Sequence, residues 1–222
     1  MENSIRFIFI VPVGPGHEKY VYQWKNSLAS QDYDNHELSM PRDTDGKGQV
    51  FWLNTCLDQL LLTGRETHTY INFMGVDDYL QDGVLNILNH VILSNDCPKW
   101  LYGGHFQTSG KRRIETTNVS QPWDYKRLKR ENYIAGGAVF VRSDMYLNRR
   151  FRDLWTGQAG DWDMWLRLGK ESVPMRTSLM IYTERINTSL IRMRPGSIKS
   201  KIFNRVKYPI WRVQRGLWRL KQ

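Results

Sequence analysis

Residues 7–13, FIFIVPV, are apolar at every position. A strand with one wet face alternates apolar and polar side chains. A strand without alternation is covered on both faces, as in the sheets of α/β proteins. The loop PVGPGHEKY then supplies Pro12, Gly14, Pro15 and Gly16, and beyond it Val21, Trp24 and Leu28 recur at i, i+3 and i+7, which predicts one apolar helical face. A short strand is expected over residues 37–40. Strand, glycine-containing loop, helix and strand are the beginning of an α/β domain.

The alternation continues. Residues 50–62 read as a helix with Leu53, Leu57, Leu60 and Leu61 on its inner face, and HTYINFM reads as a strand ending at Gly75. Another helix is expected where Val84, Ile87, Leu88, Val91 and Ile92 are spaced for burial. KWLYGGHF reads as a strand, KRRIETTNVSQPWDYKRLKREN as a long polar insertion, YIAGGAVFVRSDMY as a strand after a glycine pair, and DWDMWLRLG as a short helix. No repeat or low-complexity tract interrupts this order. The organisation predicted is one α/β domain, residues 1–190, and a tail, residues 191–222.

Charge separates those two parts. The chain has 32 Lys and Arg against 22 Asp and Glu, yet eleven of the basic residues and none of the acidic ones lie beyond Glu184. The body is therefore near neutral, unlike a fold with a nucleic-acid groove running across it. In the tail, Ile202, Val206, Ile210, Val213, Leu217 and Leu220 recur at helical spacing, with Lys201, Arg205, Arg212, Arg215 and Arg219 on other sides. Trp211 and Trp218 suit an interface, and Pro209 kinks or restarts the helix. The tail is thus expected to be a basic amphipathic helix that contacts an anionic membrane surface.

No apolar run reaches the roughly 18 residues needed to span a bilayer. IRFIFIVPV lacks a small-residue cleavage site and reads as a strand rather than a signal peptide. Cys56 and Cys97 form neither metal spacing nor a disulfide framework, which suits a reducing compartment. The expected location is cytoplasmic, peripheral at the inner face of the cell membrane, so the NVS and NTS glycosylation patterns are discounted.

Ligands of open α/β sheets gather at the carboxyl ends of strands. Asp77 and Asp78, in YINFMGVDDYL, follow such an end. They are either an acidic turn that stops a strand or the metal end of a nucleotide site. Mg2+ or Mn2+ takes oxygen ligands and needs only one or two protein carboxylates, completing its shell with diphosphate oxygens and water. Gly75 would let the backbone approach a nucleotide closely.

Six segments, FIFIVPV, NSLASQDYDNHEL, DGKGQVFWLNTCLDQLL, INFMGVDDYL, GGAVFVRSDMY and GDWDMWLRL, stand in this order over most of residues 5–190. Together they resemble the family 2 glycosyltransferases of the GT-A fold. The resemblance implies a Rossmann-like mixed sheet flanked by helices. It implies inverting transfer of a sugar from a nucleotide-sugar donor to a glycan or lipid-linked saccharide acceptor, with Mg2+ or Mn2+, in cell-surface polysaccharide biosynthesis. Asp77 falls on the last carboxylate of the family's DXD metal motif, with Asp78 beside it as a second metal ligand and Gly75 in place of the motif's first acid. Asp161 falls on the aspartate of the ED motif, the catalytic base, and Gly160 replaces its glutamate. The nucleotide-sugar site is assigned by the same resemblance to Pro12, Val13, Asp45, Asn54, Gly75, Asp77, Gly136 and Gly137. Arg185 lies where the family often carries basic or metal-binding groups. The acidic segment that normally grips the nucleobase is shortened here, which leaves Asp43 or Asp45 for that role.

Each residue also has a plainer reading. Asp161 can cap the helix that carries Trp162, Trp165 and Leu166. Asp163 and Arg167, at i and i+4, are expected to form a surface ion pair. Gly136 and Gly137 can be a simple turn, and His17 a structural loop histidine. Among whole functions, a sugar nucleotidylyltransferase would need a GxGTR-type phosphate loop, which PVGPGHEK matches poorly. A nucleic-acid-binding module fits the high net charge but not the near-neutral body. A degenerate, non-catalytic glycosyltransferase-like protein would fit the shortened base-binding segment.

Overall fold

Alternate side chains of the first strand, β1 (Arg6–Ile10), enter two different cores. Phe7 and Phe9 belong to one, Ile8 and Ile10 to the other, and all four are buried. That is the physical content of the unbroken apolar run: the strand is sandwiched. The protein is described here from a computed structural model, over residues 4–62, 68–109, 116–152 and 160–186.

The remaining strands are β2 (His36–Ser39), β3 (Thr69–Phe73), β4 (Tyr79–Leu80), β5 (Trp100–Thr108), β6 (Thr116–Asn118), β7 (Val139–Arg142) and β8 (Met175–Arg185). The helices are α1 (Val21–Ala29), α2 (Gln49–Leu62), α3 (Val84–Leu93), α4 (Tyr125–Leu128) and α5 (Gly160–Leu168). The sheet runs β2-β1-β3-β7-β5-β8-β4, with β6 paired to β5. β1 is parallel to β2 and β3, β7 is antiparallel to β3 and β5, and β8 is parallel to β5. The sheet is therefore mixed.

On one side of it, Trp24 and Leu28 of α1 and Val84, Leu85, Leu88 and Ile92 of α3 pack with Phe7, Phe9, Tyr70 and Phe140. On the other, Leu53, Cys56 and Leu57 of α2 and Met164, Trp165 and Leu168 of α5 pack with Ile8, Ile10, Ile71 and Val141. Each fully buried Leu, Ile or Phe contributes about 1.5–3 kcal/mol, so both layers are needed. The result is a three-layer α/β arrangement, as expected.

Two expectations change, and two regions gain elements that the sequence pattern did not show. Ile87 is 47% exposed, and Leu85 takes its place in the core, because α3 is rotated toward a stripe of 84, 85, 88 and 92. The long polar insertion supplies elements of its own: β6 extends the sheet from β5, and Asp124 caps α4 by accepting from the Arg127 N–H at 3.0 Å. β4 and β8 add strands that the sequence pattern does not show, since β8 mixes buried and exposed positions without strict alternation. Asp163 does pair with Arg167 at 2.8 Å, but it is buried rather than on the surface, and Arg152 lies 3.7 Å from its other oxygen.

By its contacts the chain divides into Met1–Arg185 and Ile186–Gln222. The predicted tail, residues 191–222, lies outside the described residues. No described helix is long and apolar enough to cross a membrane.

Candidate functional site

Strand directions place the site. The carboxyl ends of the parallel strands β2, β1 and β3 release loops on one edge of the sheet. β7 runs the other way beside β3, with Asn72 opposite Phe140, so the residues just before β7 arrive at that same edge. β8, parallel to β5, ends there too, at Arg185.

The turn after β3 closes through the Asp78 N–H, which donates to the Gly75 carbonyl at 3.2 Å. A Cβ on Gly75 would stand 2.7 Å from Asp77 Oδ1 and 3.2 Å from Asp78 Oδ2. The missing side chain thus makes room for two carboxylates that fold back over the same point. Asp78 Oδ1 also accepts the Arg185 N–H at 3.0 Å. Burial, and then the neighbouring charge of Asp77, pushes the Asp78 carboxyl well above the usual range. The Arg185 guanidinium donates to the Asp77 carbonyl at 3.2 Å and to Gln23, and lies over the Tyr20 ring at 5.1 Å. Arg185 therefore ties the end of β8 to the acidic turn.

Gly136 and Gly137 open the 3-10 turn that precedes β7. A Cβ on Gly136 would lie 3.3 Å from Asp161 Oδ2, and one on Gly137 would lie 3.0 Å from the Tyr182 ring. Asp161, in the first turn of α5, accepts the Trp162 N–H on Oδ1 at 2.7 Å and the Asn132 amide on Oδ2 at 3.3 Å. Burial raises its carboxyl above the ordinary value. The capping reading accounts for Oδ1, while Oδ2 faces the glycine turn.

Two residues that sequence reasoning missed join these parts. Asn72, fully buried in β3, donates its amide to the carbonyls of Gly137 and Val139, both at 2.9 Å, and so pins the glycine turn to the sheet. Tyr182 of β8 packs against Gly137 and stacks on His105 with ring centroids 5.2 Å apart. Its hydroxyl is pushed up by burial and by the charges of Asp78, Glu184, Asp161 and Asp77. The acidic turn and Asp161 thus act on one ring. A polar residue inside the apolar run YINF was the available signal for Asn72; nothing in the sequence singled out Tyr182.

The residues expected on the nucleotide side fall nearby but are used differently. Val13 is bridged to Arg42, its N–H donating to the Pro41 carbonyl at 2.8 Å, so Pro12 and Val13 are stitched to the loop after β2. Asp43 accepts from the Trp52 indole at 3.1 Å and from the N–H groups of Lys47 and Gly48 at 2.8 and 3.0 Å. Those bonds, Trp52 first, hold its carboxyl below the usual value. Asp45 is exposed and binds Thr44 at 2.9 Å and Lys47 at 3.3 Å. The Asn54 amide exchanges two bonds with the Phe151 backbone, at 2.9 and 2.8 Å. Asp43 and Asn54 therefore shape the loop and the α2 helix directly. His17 packs edge-on against Tyr20.

No family model matches the sequence, and neither does any curated protein. Solved structures do. Residues 1–349 of TarS from S. aureus superpose with a TM-score of 0.63 at 16% identity, over 82% of this chain and 60% of that one. The same fragment in complex with UDP-GlcNAc gives 0.62 at 16% identity, over 83% and 60%. A mannosyltransferase from Pyrobaculum calidifontis in complex with GDP-Man and Mn2+ gives 0.56 at 12% identity, over 84% and 58%. The fold is the GT-A glycosyltransferase fold. The chain spans about 60% of the length of the TarS fragment.

Within this GT-A fold, no group of three His, Cys, Asp or Glu is gathered for a metal among the described residues. Two converging carboxylates are nevertheless a fit for Mg2+ or Mn2+, whose remaining ligands come from substrate phosphates and water. Asp77 and Asp78 would hold it.

Proposed function

We propose that this chain is a metal-dependent, inverting glycosyltransferase of the family 2 type, which moves a hexose from a nucleotide-sugar to a glycan or lipid-linked saccharide. The observation that carries the reading is the shared edge. Asp77 and Asp78 converge over Gly75, Asp161 faces Gly136, and Tyr182 lies within the influence of both groups. The GT-A neighbours, one with UDP-GlcNAc and one with GDP-Man and Mn2+, support a nucleotide-sugar donor and a divalent ion.

The chemistry follows from the positions. The diphosphate of the donor lies at the acidic turn, and Mg2+ or Mn2+, when bound there, offsets the charge that builds on the leaving diphosphate. The acceptor hydroxyl lies beside Asp161, whose Oδ2 takes its proton as the oxygen attacks the anomeric carbon. The bond from that carbon to the diphosphate breaks, and the nucleoside diphosphate leaves with the electron pair. Attack opposite the leaving group inverts the anomeric carbon. Arg185 and Asn72 act before chemistry, by holding the acidic turn and the glycine turn in place.

The setting proposed is cell-surface polysaccharide biosynthesis at the inner face of the cell membrane, with residues 191–222 on anionic lipid. The full reading is tested by incubating the protein with UDP- and GDP-sugars and Mn2+ and measuring released nucleoside diphosphate. Release from at least one donor, lost on chelation, is expected; no release from any donor in the presence of membrane glycolipid extract counts against it.

A further inference from the structure

Tyr182 belongs to the same core as Phe7 and Phe9, and beyond it the strand ends carry polar side chains that contact one another. His105 of β5 pairs with Tyr182 of β8 on one side and Asn118 of β6 on the other, and Gln107 pairs with Glu184. From Gly104 to His105, β5 advances by one residue while β8 advances from Met180 to Tyr182. Such a bulge re-aims side chains, and here the His105 ring lies on the Tyr182 ring. The Gln107 amide donates to Glu184 Oε2 at 2.7 Å, His105 Nε2 lies 3.4 Å from the same oxygen, and the Asn118 amide lies 3.2 Å from Nε2. Apolar side chains would close the sheet end without the cost of burying polar groups. The side chains of His105 and Glu184 remain 13% and 25% exposed, so the cluster is partly open.

The cluster borders the proposed site. One residue beyond Glu184, the Arg185 N–H donates to Asp78 Oδ1 at 3.0 Å. The Glu184 charge itself is among those that raise the Asp78 carboxyl and the Tyr182 hydroxyl, and Asp161 acts on that same hydroxyl. A sugar bonded to a diphosphate at the acidic turn must present its anomeric carbon beside Asp161, and so lies near Tyr182. The chemistry of the cluster fits neutral hydroxyl groups. Both polar contacts of His105 use Nε2, and that of Gln107 uses its nitrogen, so among the described residues His105 Nδ1 and Gln107 Oε1 are not engaged. Those atoms and the Glu184 carboxylate can accept hydroxyl protons. A phosphate or carboxylate in the same place would meet the Glu184 charge.

From this juxtaposition we infer that His105, Gln107 and Glu184 hold hydroxyl groups of the transferred sugar, and that this sugar is a neutral hexose rather than a uronic acid. The inference rests on the glycosyltransferase reading and adds to it the groups that choose the sugar. A site built to bond a hydroxyl discriminates strongly against a sugar that lacks it. Proton transfer stays with Asp161.

Calorimetry with Mn2+ compares the full chain with His105→Phe and Glu184→Gln, titrating UDP, GDP, UDP-glucose, UDP-GlcNAc, UDP-glucuronate and GDP-mannose. His105→Phe keeps a ring against Tyr182 and removes both nitrogens, while Glu184→Gln keeps the shape and removes the charge. The readout is the affinity for a nucleotide-sugar relative to its own nucleoside diphosphate. The wild type is expected to prefer at least one neutral sugar, and each variant to lose about tenfold of that preference, the scale of a bond to a charged group. Binding of UDP and GDP should not change, and UDP-glucuronate should bind more weakly than UDP-glucose. An unchanged ratio in both variants overturns the inference, even if transfer slows, since the cluster would then serve the acceptor. An equal loss toward nucleotide and nucleotide-sugar overturns it too, as does a preference for UDP-glucuronate. A melt without ligand accompanies each titration: if one variant fails to fold the other decides, and if both fail the cluster is structural and the inference falls. If the wild-type protein binds no nucleotide and no nucleotide-sugar, the glycosyltransferase reading fails; if it binds nucleotides but prefers none of their sugars, only the sugar assignment fails.

Discussion

Gly136 and Asp161 share one space: a Cβ on the glycine would stand 3.3 Å from Asp161 Oδ2. Asp161 cannot simply swing away, because Oδ1 is bound to the Trp162 N–H at 2.7 Å. Gly136→Ala should shift the carboxylate by a few tenths of an ångström. Transfer is expected to fall by roughly one to two orders of magnitude, as small misplacements of catalytic groups do, while the melting temperature changes little. Steady-state kinetics and a thermal melt check the two halves separately.

Asp161→Asn should lose transfer by roughly two to four orders of magnitude with donor binding kept. The pH profile adds a second readout. Burial raises the Asp161 carboxyl, and a base must be ionised, so wild-type turnover should climb through a pH range above that of an ordinary aspartate and then level. The residual activity of the variant should lack this limb. Stability runs the other way, since a raised carboxyl favours the folded state at low pH and that contribution disappears as pH rises through the raised value.

Asn72→Leu tests the pin between β3 and the glycine turn. The substitution removes two bonds of 2.9 Å, to Gly137 and Val139, and also removes a buried Oδ1 that has no hydrogen-bond partner among the described residues. The net cost is expected to be about 1–2 kcal/mol, read from urea unfolding. A loosened glycine turn should lower kcat more than it raises KM.

The sheet and the acidic turn were legible for a physical reason. FIFIVPV and TYINF are apolar because both sheet faces are covered, and Gly75 with Asp77 and Asp78 follows a strand end where ligands gather. Asp161 and the glycine pair were legible only through family resemblance, since a first-turn aspartate and a GG turn are common. Contacts between distant segments were not legible. Tyr182 acquires its place by lying between β4 and β5 in the sheet and against Gly137, none of which is near it in the chain. Asn54 resembles a nucleotide contact by its position in a helix, but its amide is matched to Phe151, 97 residues away. The burial of Asp163 likewise depends on where α5 packs, so its spacing to Arg167 suggested a surface pair.

The tail makes a prediction independent of the fold. Eleven basic residues without an acid lie beyond Glu184, alongside Trp211 and Trp218. Each Lys or Arg near an anionic bilayer adds about 1 kcal/mol. The full chain should sediment with anionic vesicles, more weakly as salt rises, and removal of residues 199–222 should abolish this while sparing donor binding. Equal sedimentation of both forms would assign the tail to packing.

The central claim is that Asp77 and Asp78 bind a nucleotide diphosphate through a divalent ion, and calorimetry tests it most directly. UDP, GDP, CDP and dTDP are titrated into the wild-type protein and Asp77→Ala, each with Mn2+ and with chelator. At least one nucleotide should bind the wild-type protein only with Mn2+, and none should bind the variant, whose melting temperature without ligand stays near that of the wild type. Binding of the same nucleotide by the variant, with unchanged affinity and unchanged dependence on Mn2+, would contradict the account.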